Sequence, residues 1–272
     1  MKEFSIVLLA RNCDSTNFVY NYLEKHFGVD IVVFEDTISK KEQFFRRVRL
    51  IGFWRAVGQV FFMLFAFPFL KLFSQQKKRK IIEKYGLDPA PVPESKVKRV
   101  KKLSSEEGRK LLQHLNPQLL VVNGTRIISK KTLKALDAPF INIHTGITPA
   151  YRGVHGGYWS IAKGHKNLFG TTIHYVDPGV DTGGIIAQVF KENIQGENFY
   201  TYPYIQYAIV LPKLQEVVDQ FRRNEKPVLK EPVTTESNLW FHPTLFQWIL
   251  NLKKTFIFIP IIFLLKIIWG TL

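Results

Sequence analysis

Short apolar runs alternate with polar and amphipathic segments along the first 190 residues of the chain. The run that opens the chain is predicted to be a strand, and further strands are predicted at 30–34, 118–123, 139–143, 170–176 and 185–190, with helices at 16–26, 106–115 and 155–163. Such alternation is typical of a mainly parallel sheet with helices on both faces. We therefore predict an α/β, Rossmann-like fold, with a long irregular region between strand 30–34 and helix 106–115.

That long region is unusual in charge. Residues 40–110 contain 19 Lys and Arg against 6 Asp and Glu, so they carry most of the net charge of +16. Within them, residues 56–70 are uncharged and largely apolar, and they are bounded by Arg55 and Lys71. An apolar stretch with cations at its ends is typical of an element that lies on a membrane surface.

The C-terminus repeats this pattern, because Lys253 and Lys254 precede the uncharged residues 255–265. As a helix this stretch would span about 16 Å, against about 30 Å for the hydrocarbon core, and Pro260 would kink it. We predict a catalytic domain at 1–235 with an insertion at about 44–105, and an apolar, basic-flanked tail at 236–272. Either apolar segment could instead be a buried helix or a dimer surface, and the cations could attract tRNA.

Candidate chemistry is concentrated between Asn142 and Gly184. Asn142 and His144 are two residues apart near a predicted strand end, so their side chains share one face, and Asp181 follows in a glycine-rich loop. Asn142 can donate to a developing oxyanion, and His144 and Asp181 can exchange or hold a proton. Because no nucleophile motif is present and Cys13 is the only cysteine, direct attack of an amine on a carbonyl fits these groups better than a covalent intermediate does.

The segments NIHTGITPAYRG (142–153) and HYVDPGVDTGG (174–184) resemble the signature of the formyltransferases that use 10-formyltetrahydrofolate. NGTRII (123–128) resembles the family segment that lines the folate pocket. The resemblance implies 10-formyltetrahydrofolate as co-substrate, no metal, and the catalytic residues Asn142, His144 and Asp181. The cofactor-binding residues that it implies are Gly124, Arg126, Ile127, Ile128, Asp177 and Gly179. The substrate loop that it implies contains Pro149, Tyr151, Arg152, Gly153 and His155.

The chain also departs from that family in several places. Gly146, Ile147 and Thr148 replace the usual Ser-Leu-Leu before Pro149. Residues 10–16 lack the glycines of a phosphate loop, which argues against a ribonucleotide phosphate there. About 80 residues follow the Asp181 loop, fewer than the barrel domain of methionyl-tRNA formyltransferases needs. His144, His155, His165 and His174 lack the spacing of a metal motif.

Together these features predict an enzyme that transfers a formyl group to a primary amine, with an amino sugar, nucleotide-linked or lipid-linked, as the expected acceptor. We expect a cytoplasmic protein with peripheral membrane association, and binding of nucleic acid is not expected. A methionyl-tRNA formyltransferase, a formyltetrahydrofolate hydrolase and a non-catalytic membrane-associated scaffold remain as alternatives, and a homodimer is left open.

Overall fold

Seven strands form the central sheet of the computed structural model, which describes residues 4–194 and 196–254. Five parallel strands come first, in the spatial order β3 (Val97–Val100), β2 (Ile31–Glu35), β1 (Ile6–Ala10), β4 (Leu119–Asn123) and β5 (Phe140–His144). The antiparallel strands β7 (Gly170–Tyr175) and β8 (Ile185–Phe190) complete the sheet. The predicted mainly parallel α/β fold is confirmed, with β3 as a strand that the apolar pattern did not reveal.

Helices cover both faces of this sheet, because its central strands are apolar on both sides. One face packs on α1 (Asp14–Phe27) and α9 (Tyr202–Arg222), and the other packs on α6 (Glu106–Leu115) and α7 (Lys130–Leu133). Helix α9 was not predicted. Pro212 lies inside it and interrupts a pattern that is otherwise helical, because the buried residues Tyr207, Val210, Leu211, Leu214, Val217 and Val218 follow helical spacing.

The prediction of an irregular region after β2 is wrong, because much of this segment is helical. Helix α2 (Lys40–Ile51) is followed by the apolar helix (Phe53–Phe73), which consists of α3 (Phe53–Phe61), a π-helical turn (Phe62–Ala66) and α4 (Phe67–Phe73), and then by α5 (Gln75–Tyr85). Pro68 cannot donate a backbone hydrogen bond inside this helix, and the wider π turn before it accommodates that loss. Glycine, proline and repeated phenylalanine obscured the helical pattern.

A second apolar cluster joins the apolar helix to the α/β domain. It contains Phe62, Ala66 and Leu70 together with residues of α8 (Gly156–Ala162) and Trp248 of α10 (Leu245–Leu250). A two-stranded ladder pairs β6 (Arg152–Gly153) with β9 (Leu239–Trp240). Trp240, Leu245, Trp248 and Leu252 therefore pack on the catalytic-domain side, while the division at 235/236 stays a prediction. The predicted apolar segment 255–265 lies outside the described residues.

In the part of the chain that the structure describes, the apolar helix is the one helix long and apolar enough to cross a membrane, judged by length and composition alone. One of its faces is buried in the second apolar cluster.

Candidate active site

The carboxyl ends of β1, β4 and β5 meet at one edge of the sheet, beside a cavity of about 760 Å³. The chain runs from β1 to β2 on one side and returns to β4 on the other, so the strand order reverses between β1 and β4. A reversal of this kind opens a crevice at the carboxyl ends of the strands, where α/β proteins bind ligands. The geometry therefore places the cavity where a binding site is expected.

Three polar side chains come from the antiparallel pair β5 and β7. Asn142 and His144 alternate with buried apolar residues and point to one face of β5. His174 lies directly opposite Asn142 in the ladder, so it shares that face, and its Nε2 is 3.1 Å from the Asn142 Nδ2. The sequence analysis considered His174 only as a metal ligand. The pairing of β5 with β7 that brings it to the site joins residues 32 positions apart, and no local pattern in the sequence signals it.

Asp181 connects these side chains. Its Oδ1 accepts from the Asn142 Nδ2 at 3.3 Å and lies 3.5 Å from the His174 Nε2. Its Oδ2 accepts from the Gly153 backbone N–H at 2.8 Å and lies 3.3 Å from the His144 Nδ1. Asp181 has a φ of 51°, a left-handed conformation that turns the loop back so that the carboxylate meets β5. The structure thus brings together all three residues predicted to be catalytic.

The surroundings of Asp181 favour its ionised form. Burial raises the pKa of Asp181. The His144 ring, the contact with His174 and the Gly153 N–H lower it by more than burial raises it, so the pKa falls to about 2. The carboxylate is therefore a permanent negative charge at neutral pH. It can hold an imidazolium or attract the proton of a cationic amine.

His144 is held between two acceptors. Its Nε2 is 2.7 Å from the Tyr151 carbonyl oxygen, and its Nδ1 faces Asp181. Burial lowers the pKa of His144, while the Asp181 charge and the Tyr151 carbonyl oppose that change, and the net direction is downward. A histidine that is neutral at rest but has an acceptor at each nitrogen can take up a proton when negative charge forms beside it.

One side of the cavity, the β4 side, is formed by the loop after β4. Gly124, Arg126, Ile127 and Ile128 all line it, and Ile127 remains about half exposed. The Arg126 guanidinium turns away from the cavity, because its Nη2 pairs with the buried Glu35 at 3.0 Å and the Arg126 N–H donates to the same carboxylate. Backbone groups and apolar side chains thus make up this side, which suits a flat heteroaromatic ring.

Asp177 and Gly179 also line the cavity. The Asp177 carboxylate accepts from the Gly179 N–H at 3.1 Å and from the Thr182 hydroxyl at 2.8 Å. It is a half-buried residue that shapes the loop leading to Asp181. Asp177 and Gly179 thus lie at the cavity, where they were predicted, and the Asp177 carboxylate makes its hydrogen bonds within its own loop.

The predicted substrate loop divides into two groups. Gly153 and His155 line the cavity, whereas the side chains of Pro149, Tyr151 and Arg152 do not. The Tyr151 hydroxyl is 2.7 Å from the His165 Nδ1, and the Tyr151 ring stacks on Trp240. The Arg152 guanidinium donates from Nη1 to the Val180 carbonyl. Their side chains thus support the loop from behind.

His155 and His242 form a second polar pair in the cavity. The His155 Nε2 lies 2.9 Å from the His242 Nδ1, and the Gln59 side-chain amide of the apolar helix donates to the His242 carbonyl at 2.7 Å. Burial, followed by the nearby charges of Arg47 and Arg11, lowers the pKa of His242 to about 4. The sequence analysis missed His242, because it lies in a tail segment without a motif and reaches the site through the pairing of β9 with β6.

The other side of the cavity, the helical side, is lined by cations and aromatic residues from several elements, namely Arg11, Phe67, Lys71, Phe199, Tyr200 and Tyr204. Phe67 packs edge-to-face against Phe199 and Tyr200. No cluster of three or more metal-ligating side chains occurs among residues 4–194 and 196–254. The cavity thus joins an apolar side, a polar centre and a cationic, aromatic side.

The fold and this cavity define an α/β protein whose candidate site lies at the switch point of a mainly parallel sheet. Residues 70–200, which include Asn142, His144 and Asp181, match the formyl transferase family. The family predicted from the sequence is thereby confirmed.

Two curated relatives show which members of the family the chain is similar to. A methionyl-tRNA formyltransferase of Caldicellulosiruptor saccharolyticus is 32% identical over 142 residues, which cover 48% of this chain and 45% of that protein. A phosphoribosylglycinamide formyltransferase of Bacillus subtilis is 43% identical over 63 residues, which cover 23% of this chain and 32% of that protein. The chain thus spans less than half the length of these curated relatives.

Among solved structures, a sugar N-formyltransferase from a Shewanella species shares the fold with a TM-score of 0.53. The match covers 87% of this chain and 76% of that chain, at 14% sequence identity. The shared architecture therefore extends well beyond the segment that sequence comparison recognises.

Proposed function

We propose that this protein transfers a formyl group from 10-formyltetrahydrofolate to a primary amine, without a metal. The observation that carries the proposal is the meeting of Asn142, His144 and Asp181 in one cavity of a chain that matches the formyl transferase family. The β4 side fits the pterin ring of the co-substrate, which supplies the formyl group when bound. The helical side then receives the acceptor amine.

In this proposal each side chain of the site has a separate role. The Asn142 amide is held by His174, and its longer, weaker contact with Asp181 leaves one N–H to turn towards the formyl oxygen. The His144 Nδ1, whose 3.3 Å contact with Asp181 is longer than the Nε2 contact with the Tyr151 carbonyl, turns to that oxygen and donates to it once the ring has taken up a proton. The ionised Asp181 accepts the proton that the amine must lose, directly or through one water. The proton then passes to the folate nitrogen as its bond to the formyl carbon breaks, so tetrahydrofolate leaves and the amine keeps the formyl group.

For the acceptor we propose an amino sugar, nucleotide-linked or lipid-linked, and we propose that the enzyme is a cytoplasmic protein that works at a membrane surface. Hydroxyl-rich and phosphate-bearing acceptors match the cations and aromatic rings of the helical side. The exposed apolar side chains of the apolar helix support the membrane location.

Calorimetric titration with a hydrolysis-resistant analogue of 10-formyltetrahydrofolate tests the co-substrate. Ile127 suits the test better than Arg126, whose guanidinium pairs with Glu35 and whose loss would disturb the fold. We expect micromolar binding that Ile127→Ser weakens about tenfold by removing apolar contact. The exposed Val228→Ser, on a residue that does not line the cavity, should bind as the wild type does. A folded protein that does not bind the analogue would refute the proposal and favour a scaffold.

Methionyl-tRNA is the rival acceptor, because curated relatives similar to this chain are methionyl-tRNA formyltransferases. That acceptor predicts tRNA binding that falls steeply as the salt concentration rises. Formate release from the donor without any amine would instead identify a hydrolase. Both assays use the same purified protein and analogue-binding control.

A further inference from the structure

The apolar helix has two different faces. Phe62, Ala66 and Leu70 are buried in the second apolar cluster, where Phe62 packs edge-to-face on Phe199 and Trp248. Other large apolar side chains of the same helix are exposed, namely Phe53, Trp54, Phe61, Leu64, Phe65, Leu72 and Phe73. Trp54, Phe61, Phe65 and Leu72 follow at intervals of seven, four and seven residues, so they form one stripe along the helix.

Neighbouring helices extend this exposed surface, which we call the outer face. Helix α10 contacts α3 and the π turn and exposes Phe246, Ile249 and Leu250, and α2 contacts α3 and exposes Phe45 and Leu50. Single exposed apolar side chains are ordinary, but a dozen on three packed helices indicate a surface that is covered in use.

Charge indicates what covers the outer face. No Asp or Glu occurs between Glu42 and Glu83, whereas the exposed cations Arg49 and Arg55 lie beside exposed apolar residues of the outer face. A second copy docked face to face would bring these like charges together, and residues 255–272 contain no Asp or Glu that could neutralise them. An anionic lipid surface accepts both the apolar side chains and the cations.

The apolar helix also lines the cavity. Phe67 and Lys71 belong to the helical side, and Lys71 is exposed. A helix with its side chains is about 10 Å across. An acceptor in the cavity would therefore lie about one helix diameter from any surface on which the outer face rests.

We propose that the outer face docks on an anionic bilayer and that the acceptor amine is carried by a phosphate-linked lipid of that bilayer. The lipid is drawn along the helical side, with its phosphate near Lys71. This inference rests on the proposed function for the reaction, whereas the docking itself does not depend on it. It selects a lipid-linked acceptor over a nucleotide-linked one.

Vesicle sedimentation of the full-length chain tests the docking. The probe is phosphatidylcholine vesicles with about 30 mol% phosphatidylglycerol, compared with pure phosphatidylcholine. The double variant Leu64→Glu/Phe65→Glu should bind anionic vesicles at least about tenfold less tightly than the wild type. The control Val228→Glu/Val233→Glu places the same charges on exposed apolar positions elsewhere and should keep wild-type binding. Equal binding by both double variants would overturn the proposal.

Fluorescence quenching distinguishes membrane contact by the outer face from membrane contact by residues 255–272. Trp54 is 82% exposed on the outer face, and Trp269 lies in the tail. In a Trp269→Phe background, brominated lipids should quench fluorescence, and adding Trp54→Phe should remove most of that quenching. Quenching that persists without Trp54, or a dimer in lipid-free sedimentation that Leu64→Glu/Phe65→Glu dissociates, would assign the face to another occupant and overturn the proposal.

The acceptor is tested with one amino sugar in two forms, as a polyprenyl phosphate in anionic vesicles and as the free sugar phosphate. The vesicle form should be formylated with a kcat/KM at least about tenfold higher, and Leu64→Glu/Phe65→Glu should abolish that advantage. Equal use of both forms would overturn the lipid-linked acceptor. Titration with the folate analogue runs in parallel, because docking without analogue binding refutes the proposed function alone, and analogue binding without docking refutes this inference alone.

Discussion

At the scale of single residues, Asp181 is the centre of the site. Its two oxygens contact groups from β5, β7 and the loop at Gly153, so one carboxylate sets the positions of Asn142, His144 and His174. Its charge is also the group available to take up a proton from the amine. A neutral amide of the same shape would keep the volume but lose both the charge and an acceptor.

We therefore expect Asp181→Asn to lower kcat for formyl transfer by about a hundredfold or more, with the folate analogue still bound. His144→Ala should have an effect of similar size. Steady-state rates and analogue titration measure both. Asp137→Asn makes the same chemical change on an exposed loop that does not line the cavity and should leave the rate unchanged. An Asp181→Asn enzyme with near wild-type turnover would remove Asp181 from the mechanism.

The His155–His242 pair predicts a pH dependence of stability. The pKa of His242 is lowered to about 4 in the folded protein, so below the ordinary value of 6.5 the unfolded chain binds the proton more readily. This contribution to stability is present above pH 6.5 and is lost as the pH falls towards 4. The asparagine variant His242→Asn does not titrate and can still bond to His155.

Urea unfolding at pH 7 and pH 5 checks this dependence. The wild-type free energy of unfolding should fall by about 1 kcal/mol more than that of His242→Asn over this interval, a moderate value because the ring is partly open to the cavity. Equal losses in the two proteins would show that His242 does not carry the effect.

At the scale of elements, the apolar helix has one buried face and one exposed face, and its sequence pattern does not distinguish them. Its phenylalanines look alike in the sequence, yet Phe62 is fully buried and Phe65 is 62% exposed. The apolar content of residues 56–70 was visible in the sequence, but which residues face the domain depends on the register set by Phe199, Trp248 and the π turn. The same register puts Phe67 and Lys71 at the cavity.

Phe62→Ala should therefore destabilise the protein by about 3–5 kcal/mol, because it removes a fully buried ring from the second apolar cluster. Phe65→Ala, on the same helix, should change the free energy of unfolding by about 0.5 kcal/mol or less. Denaturant unfolding of the pair in the absence of lipid distinguishes them. Similar losses for both variants would mean that Phe65 is covered in the isolated protein.

At the scale of the whole molecule, the chain after residue 235 completes the site. Gly153, whose N–H holds Asp181, pairs with Trp240 in the β6–β9 ladder, and its φ of 92° suits glycine where the Trp240 carbonyl approaches. Trp240 also donates to the Ala150 carbonyl at 2.9 Å. Residues 239 and 240, which lie outside the family match at 70–200, thus support the loop that contains Gly153.

Two truncations test this arrangement. Deletion of 236–272 removes β9, His242 and Trp248 and should give an unstable protein with little analogue binding, whereas deletion of 255–272 should retain a stable fold and that binding. Thermal unfolding and calorimetry measure both. A stable, analogue-binding protein ending at residue 235 would show that the division at 235/236 separates two independent units.

Strand periodicity by itself predicted the fold class, and the resemblance of residues 142–153 and 174–184 to a family signature implied the family and the meeting of Asn142, His144 and Asp181, because both are local properties of the chain. Only the tertiary structure decided that His174 and His242 join the site, that Pro149, Tyr151 and Arg152 turn away from the cavity, and that one face of the apolar helix is buried. These outcomes depend on strand pairing and packing between residues far apart in sequence, such as Gly153 with Trp240 and Phe62 with Phe199, and no local pattern encodes such contacts.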